Sequence, residues 1–224
     1  NIEDNAAKSP VPYIVPPGIT RERNASDPRQ GRLNEQSLLM NVCGLQDGDA
    51  RAVYKNIDMD MRSYGRLKMF AHAEKMPDDL DDLQSGDMTA FIRLGSDFDQ
   101  NYYEYEVPLQ LTDTMASLTD PEVVWPVANN FDIDFNDLTL AKTLRPKDNT
   151  QAVYTYEPND DGKRISVKGN PNLASVRVIM LGVRNPKNDN NDKCVEVWFN
   201  ELRMTDFYDQ GGWAATASAT SKLA

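Results

Sequence analysis

Short runs in which apolar and polar side chains alternate recur along most of this chain, and each run ends in a cluster of turn-forming residues. Period-two patterning of this kind marks strands that keep one face in a core. SLLMNVCGL is closed by the turn QDGD, and RAVYKNIDMDM follows with alternating character. In RLKMFAHAE, Leu67, Met69, Ala71 and Ala73 share one face. TAFIRLGSD and NYYEYEVPLQL flank turn residues 96–101 and predict a hairpin. Its second strand places Tyr103, Tyr105 and Val107 on one side and Tyr102, Glu104 and Glu106 on the other. VYTYE, RISVKG and ASVRVIMLGVRN continue the pattern. CVEVWFNELRM points Val195, Val197 and Phe199 one way and Glu196, Trp198 and Asn200 the other. The one departure is a short helix near Asn136–Leu144, with Asn136 or Asp137 near its N-cap. Many short strands with at most one short helix predict an all-β fold, an antiparallel, jelly-roll-like β-sandwich.

That sandwich is expected over residues 33–210. Residues 1–32 are polar and carry Pro10, Pro12, Pro16, Pro17 and Pro28; proline fixes φ and lacks a donor, so this stretch reads as an extended arm or linker. Residues 211–224 differ in kind. WAATASATSKLA alternates small and polar side chains with no large core residue. It reads either as the start of a transmembrane barrel strand, with Trp213 as an anchor at the membrane interface, or as a disordered tail. On the first reading the chain is a piece of something larger.

Composition narrows the partners. With 224 residues the chain can bury a sizeable core. A formal net charge of −11 argues against nucleic acid and against anionic lipid head groups, because no basic excess is present to meet phosphate. No apolar run approaches the ~20 residues of a membrane helix. The two cysteines, Cys43 and Cys194, fit no metal spacing. They can pair if the first and last strands of the sandwich are neighbours in an oxidising compartment; the alternative is two separate buried thiols.

Catalytic patterns are missing. The single histidine, His72, lies inside a strand pattern, and no G-x-S-x-G, Walker loop or G-x-G-x-x-G is present. Glu104 and Glu106 are the least implausible carboxylate pair for glycoside hydrolysis, but alternation makes them the charged outer face of a strand. The acidic groups Asp132 with Asp134, Asp47 with Asp49, and 189–192 have the oxygen ligands calcium prefers, yet none matches an EF-hand loop; solvated turns are the plainer reading. Tyr102, Tyr103, Tyr105, Trp125 and Trp198 could form a platform for sugars or for a protein partner, or could be ordinary core and edge residues.

Several longer phrases narrow the reading further. PPGITRE, LNEQSL, DGDARAVYK, FIRLGSD, NYYEYEVPL, GNPNL, IMLGVRNP, EVWFNELRMTDF and GGWAA occur in this order from Pro16 to Ala215. Together they resemble the SprA/Sov family of giant cell-surface proteins. The resemblance implies a non-enzymatic insertion domain of the outer-membrane translocon of type IX secretion, which also supports gliding motility, attached to a large β-barrel. It further implies secreted clients and accessory translocon subunits as partners, and a place at the cell surface on the extracellular side, with the periplasm as the other option. No cofactor is expected from the residues unless the acidic groups take calcium. The rival is a carbohydrate-binding module of similar fold.

Overall fold

The computed structural model describes residues 2–4, 11–20, 36–76, 83–113, 119–148 and 150–209. Among these residues, eleven strands form two antiparallel sheets. In chain order they are β1 (Ile2–Asp4), β2 (Gln36–Leu45), β3 (Ala50–Met59), β4 (Tyr64–Glu74), β5 (Thr89–Gly95), β6 (Tyr102–Pro108), β7 (Phe131–Asp134), β8 (Tyr154–Tyr156), β9 (Arg164–Lys168), β10 (Val176–Arg184) and β11 (Lys193–Phe207). The five-stranded sheet runs β1-β2-β11-β4-β7 and the six-stranded sheet β3-β10-β5-β6-β9-β8.

The pairing is that of a ribbon rolled on itself. β2 pairs with β11, β3 with β10, β4 with β7, and β5 with β6. Rolling the ribbon then sets β11 beside β4 and β10 beside β5. This is jelly-roll topology, with a β8–β9 hairpin added along β6 and β1 added along β2. The fold class expected from alternation is the one observed.

Alternation also places the core. Leu67, Met69, Ala71 and Ala73 of β4 and Val195, Val197 and Phe199 of β11 face Ala90, Ile92 and Leu94 of β5 and Tyr103, Tyr105 and Val107 of β6. These rows are removed from water on both sheets, which is the main drive for the two layers to close.

The expected helix is present as α2 (Phe135–Leu144), following a single helical turn, α1 (Pro121–Val124). Its N-cap is Asp134, not Asn136 or Asp137: the Asp134 carboxylate accepts from the Asn136 amide while its own backbone is still extended. The last residue of β7 therefore starts the helix, and the cap falls earlier than the run of helix-forming residues suggests.

Within the proline-rich stretch, residues 11–20 hold no strand or helix, yet Val11 and Pro16 are buried. Val11, Tyr13 and Ile14 lie on the outer face of the five-stranded sheet and join Leu39, Val124, Trp125 and Trp198 in a second apolar cluster.

Candidate functional site

The outer face of the six-stranded sheet carries an interlocked cluster of charges. Hairpin register sets Arg93 opposite Glu104, and Arg164 opposite Glu106 on the next strand. Arg93 Nε donates to Glu104 at 2.5 Å, and Arg184 reaches Glu106 at 2.7 Å and Glu104 at 3.0 Å. Arg164 approaches Glu106 at 3.3 Å, and Thr89 Oγ1 donates to the same carboxylate at 2.5 Å. Phe91 and Tyr102 form the floor: the Arg184 guanidinium stands 4.7 Å over the Phe91 ring and that of Arg93 4.2 Å over Tyr102. Glu104 and Glu106 do face outward, as alternation requires, but three guanidiniums bury them. Both carboxylates are thus held by cations that the fold itself supplies.

The five aromatic residues considered as a platform are all buried. Tyr103 and Tyr105 are on the inner row, and Tyr102 lies beneath Arg93. Burial pushes the Tyr103 phenol up to about 12 and also raises those of Tyr105 and Tyr102, so these hydroxyls stay protonated. Trp198 points outward from β11 but is roofed by Trp125 and residues 11–14. Alternation reports which way a side chain points; it cannot report that a distant segment returns to cover it. A surface for ring stacking on sugar would need these faces open.

Beneath that roof sits His72, fully buried. Its ring stacks on Trp198 with centroids 4.0 Å apart. Nδ1 lies 2.6 Å from the Val124 carbonyl, which can only accept, so Nδ1 carries a proton. Nε2 is 3.4 Å from Glu74 Oε2, and Thr112 Oγ1 is 3.2 Å from Nδ1. The Trp125 indole donates to Ile14 O and that of Trp198 to Glu196. This is a buried polar knot that fastens residues 11–14 and α1 to the sheet.

Asp132 and Asp134, the pair weighed for calcium, sit on β7 opposite Lys68 and Arg66. Arg66 bonds both, at 2.8 and 3.1 Å, and Lys68 lies 3.3 Å from Asp132. Burial works against the Asp132 charge, but Arg66 and Lys68 outweigh it and lower its pKa. In the other acidic groups, Asp49 approaches Arg51 and Asp189 approaches Lys193. Among the described residues no three His, Cys, Asp or Glu side chains converge on one point. Cys43 and Cys194 are joined by a disulfide across the β2–β11 pair, at a bulge where Cys43 and Gly44 together oppose Cys194. Gly44 has φ +66, the conformation that lets one strand fit an extra residue there. Trp213 lies outside the described residues.

The feature that alternation missed is the openness of β3. Nearly all of its residues are exposed on both faces, including Val53 at 43% and Tyr54 at 57%. Tyr54 rests on Phe98 with ring centroids 5.0 Å apart. Beside β3 a groove of about 490 Å³ opens between the sheets, lined by Leu39, Met40, Val42, Arg51 and Val53 among others. The sequence does hold a signal for it: RAVYKNIDM alternates, yet both of its rows carry polar or charged residues, as a strand without a covered face would.

A family model described as a motility related/secretion protein, SprA_N, matches residues 1–224. No curated protein matches the chain.

Proposed function

This chain belongs to the SprA_N family of motility-related and secretion proteins, and from that premise we propose that it is a non-enzymatic domain of a giant outer-membrane protein-export translocon. In this reading it caps or shapes the pore on the extracellular side, in type IX secretion and gliding, and contacts clients or accessory subunits through surface complementarity. The observation that carries the reading is the contrast between closed chemistry and an open rim. Glu104, Glu106 and His72 are held by fixed partners inside the fold, whereas β3 offers ten residues of strand to solvent. Fixed ion pairs and a packed imidazole suit a rigid scaffold, and an open strand edge suits a contact surface.

The test is made in cells. The full-length translocon carrying a photo-crosslinking residue at Tyr54 is expected to capture a secreted client or an accessory subunit. Excision of residues 36–209 is expected to lower client secretion while the barrel still inserts. Undiminished secretion by the excised protein would remove the reading. Among the described residues no helix is long and apolar enough to cross a membrane, so membrane attachment in this proposal falls to the barrel.

A further inference from the structure

Sheets in soluble proteins ordinarily end in short or guarded strands, because an open edge invites pairing. Three of the four rims here follow that rule: β1 and β8 have three residues each and β7 has four. The fourth, β3, has ten, and it pairs with β10 regularly from Ala50 to Asn56 before a bulge. Arg51, Val53 and Lys55 stand opposite Val183, Leu181 and Ile179, which pack on the core. Cross-strand partners share a face, so these three side chains lie on the inner side of the sheet. They are nonetheless exposed, because the opposing sheet leaves the groove beside Met40 and Val42 unfilled.

We propose that β3 accepts an extended segment of a partner polypeptide as a seventh strand, with an apolar side chain opposite Val53 and acidic side chains opposite Arg51 and Lys55. The inference rests on the docking reading above only in taking the partner to be a polypeptide. Backbone pairing supplies attachment for any extended chain, and the alternate inward side chains supply selectivity. The apolar residue fills the groove against Met40, Val42 and Val53. The flanking carboxylates meet two cations that the fold leaves available. Arg51 has only a loose contact, 3.7 Å from Asp49 with over half its side chain in water, and a bond to its neighbour's carbonyl. Lys55 has no ion pair among the described residues.

The same cations reject other occupants. A neutral or basic strand would bury them without a counter-charge, which is costly. A second copy of β3, laid antiparallel about a twofold axis normal to the sheet, would bring four cations onto one face of the joint sheet. In a chain of net charge −11, this row is a local reversal of sign that favours an acidic strand over another copy.

The probe is a labelled synthetic peptide of repeated Glu-Thr-Val-Thr units, with a Lys-for-Glu counterpart, titrated against the 224-residue chain by fluorescence anisotropy and amide hydrogen exchange. The acidic peptide is expected to bind saturably and slow exchange in residues 50–56, and the lysine peptide to bind at least about tenfold more weakly. The double variant Arg51→Glu/Lys55→Glu, at two exposed positions, should keep its melting temperature and invert that preference. Equal binding of both peptides, protection confined to other strands, or concentration-dependent protection of β3 without peptide (a second copy) overturns the proposal. If excising residues 36–209 lowers secretion but neither peptide binds, this inference fails and the docking reading stands.

Discussion

Gly182 on β10 stands directly opposite Phe91 on β5, and a Cβ placed on it would lie 2.5 Å from Phe91 Cζ. It would also lie 2.7 Å from the Arg51 carbonyl and 2.8 Å from Ala52 Cβ, so the backbone of β3 would have to yield as well. The missing side chain is what lets the Phe91 ring settle across the sheet beneath Arg184. Gly182→Ala is therefore expected to cost about 1–3 kcal/mol as overpacking, read from urea unfolding at unchanged slope. Combined with Phe91→Leu the costs should fall short of additive, because the two changes relieve one contact. Full additivity would contradict the packing described.

His72→Ala removes the partner of the Val124 carbonyl and of the Glu74 carboxylate in a site closed to water. A loss of about 1–3 kcal/mol is expected, the usual cost of leaving a buried hydrogen-bonding group without its partner. Trp198 emission should shift to the red in the folded variant as water enters beside the indole. A loss below about 1 kcal/mol with unchanged emission would mean that the knot does not hold the roof.

The Cys43–Cys194 bridge closes a sequence separation of 151 residues. Replacing both cysteines by serine should lower stability by about 2–5 kcal/mol, chiefly by freeing the unfolded chain. Cys43 is exposed and Cys194 buried, so mild reductant should reach the bond from the Cys43 side. Thermal melts with and without reductant are the measurement, and coincident curves for wild type and double variant would sink the expectation.

Asp97 organises the β5–β6 turn. Partial burial disfavours its charge, but the Asn101 side chain and the backbone amides of Gln100, Asn101 and Asp99 hold its pKa at about 2, down from 3.8. A carboxyl with a depressed folded pKa adds stability above its unfolded pKa and loses it as pH falls through the folded one. Asp97→Asn should therefore cost on the order of 1 kcal/mol near neutral pH, after allowance for solvent screening. The difference from wild type should fade between about pH 4 and pH 2, as followed by chemical unfolding at each pH. A difference that persists at pH 2 would assign the effect to shape, not charge.

Where a side chain points was legible in the sequence; what covers it was not. The inner rows of β4, β6 and β11 followed from period two because one face of each strand meets the core. The pairing of Arg93 with Glu104 was within reach once the turn at 96–101 fixed the hairpin register, since both partners are local. Arg184 was not, because β10 comes to lie beside β5 only when the ribbon rolls. Trp198 and His72 show the same limit: alternation put them outside, but Thr112, Val124 and Trp125, forty to fifty-three residues beyond His72, close over the imidazole, and Trp125 with residues 11–14 closes over Trp198. β3 failed in the opposite sense. Its alternation alone suggests a covered row, but polar and charged residues in both rows speak against one, and the groove between β3 and β2 leaves the inward row open.

The adjacency of β2 and β11 has a mechanical consequence. Tension applied to the polypeptide at the two ends of the sandwich enters along β2 and leaves along β11, neighbours that run in opposite directions. Such a pull peels the pair apart only as far as Cys43, where the sulfur bridge takes the load covalently. Residues 44–193 then lie outside the load path. The domain lengthens by the slack of residues 36–42 and 195–207 and thereafter behaves as an inextensible link for as long as the bridge stays oxidised.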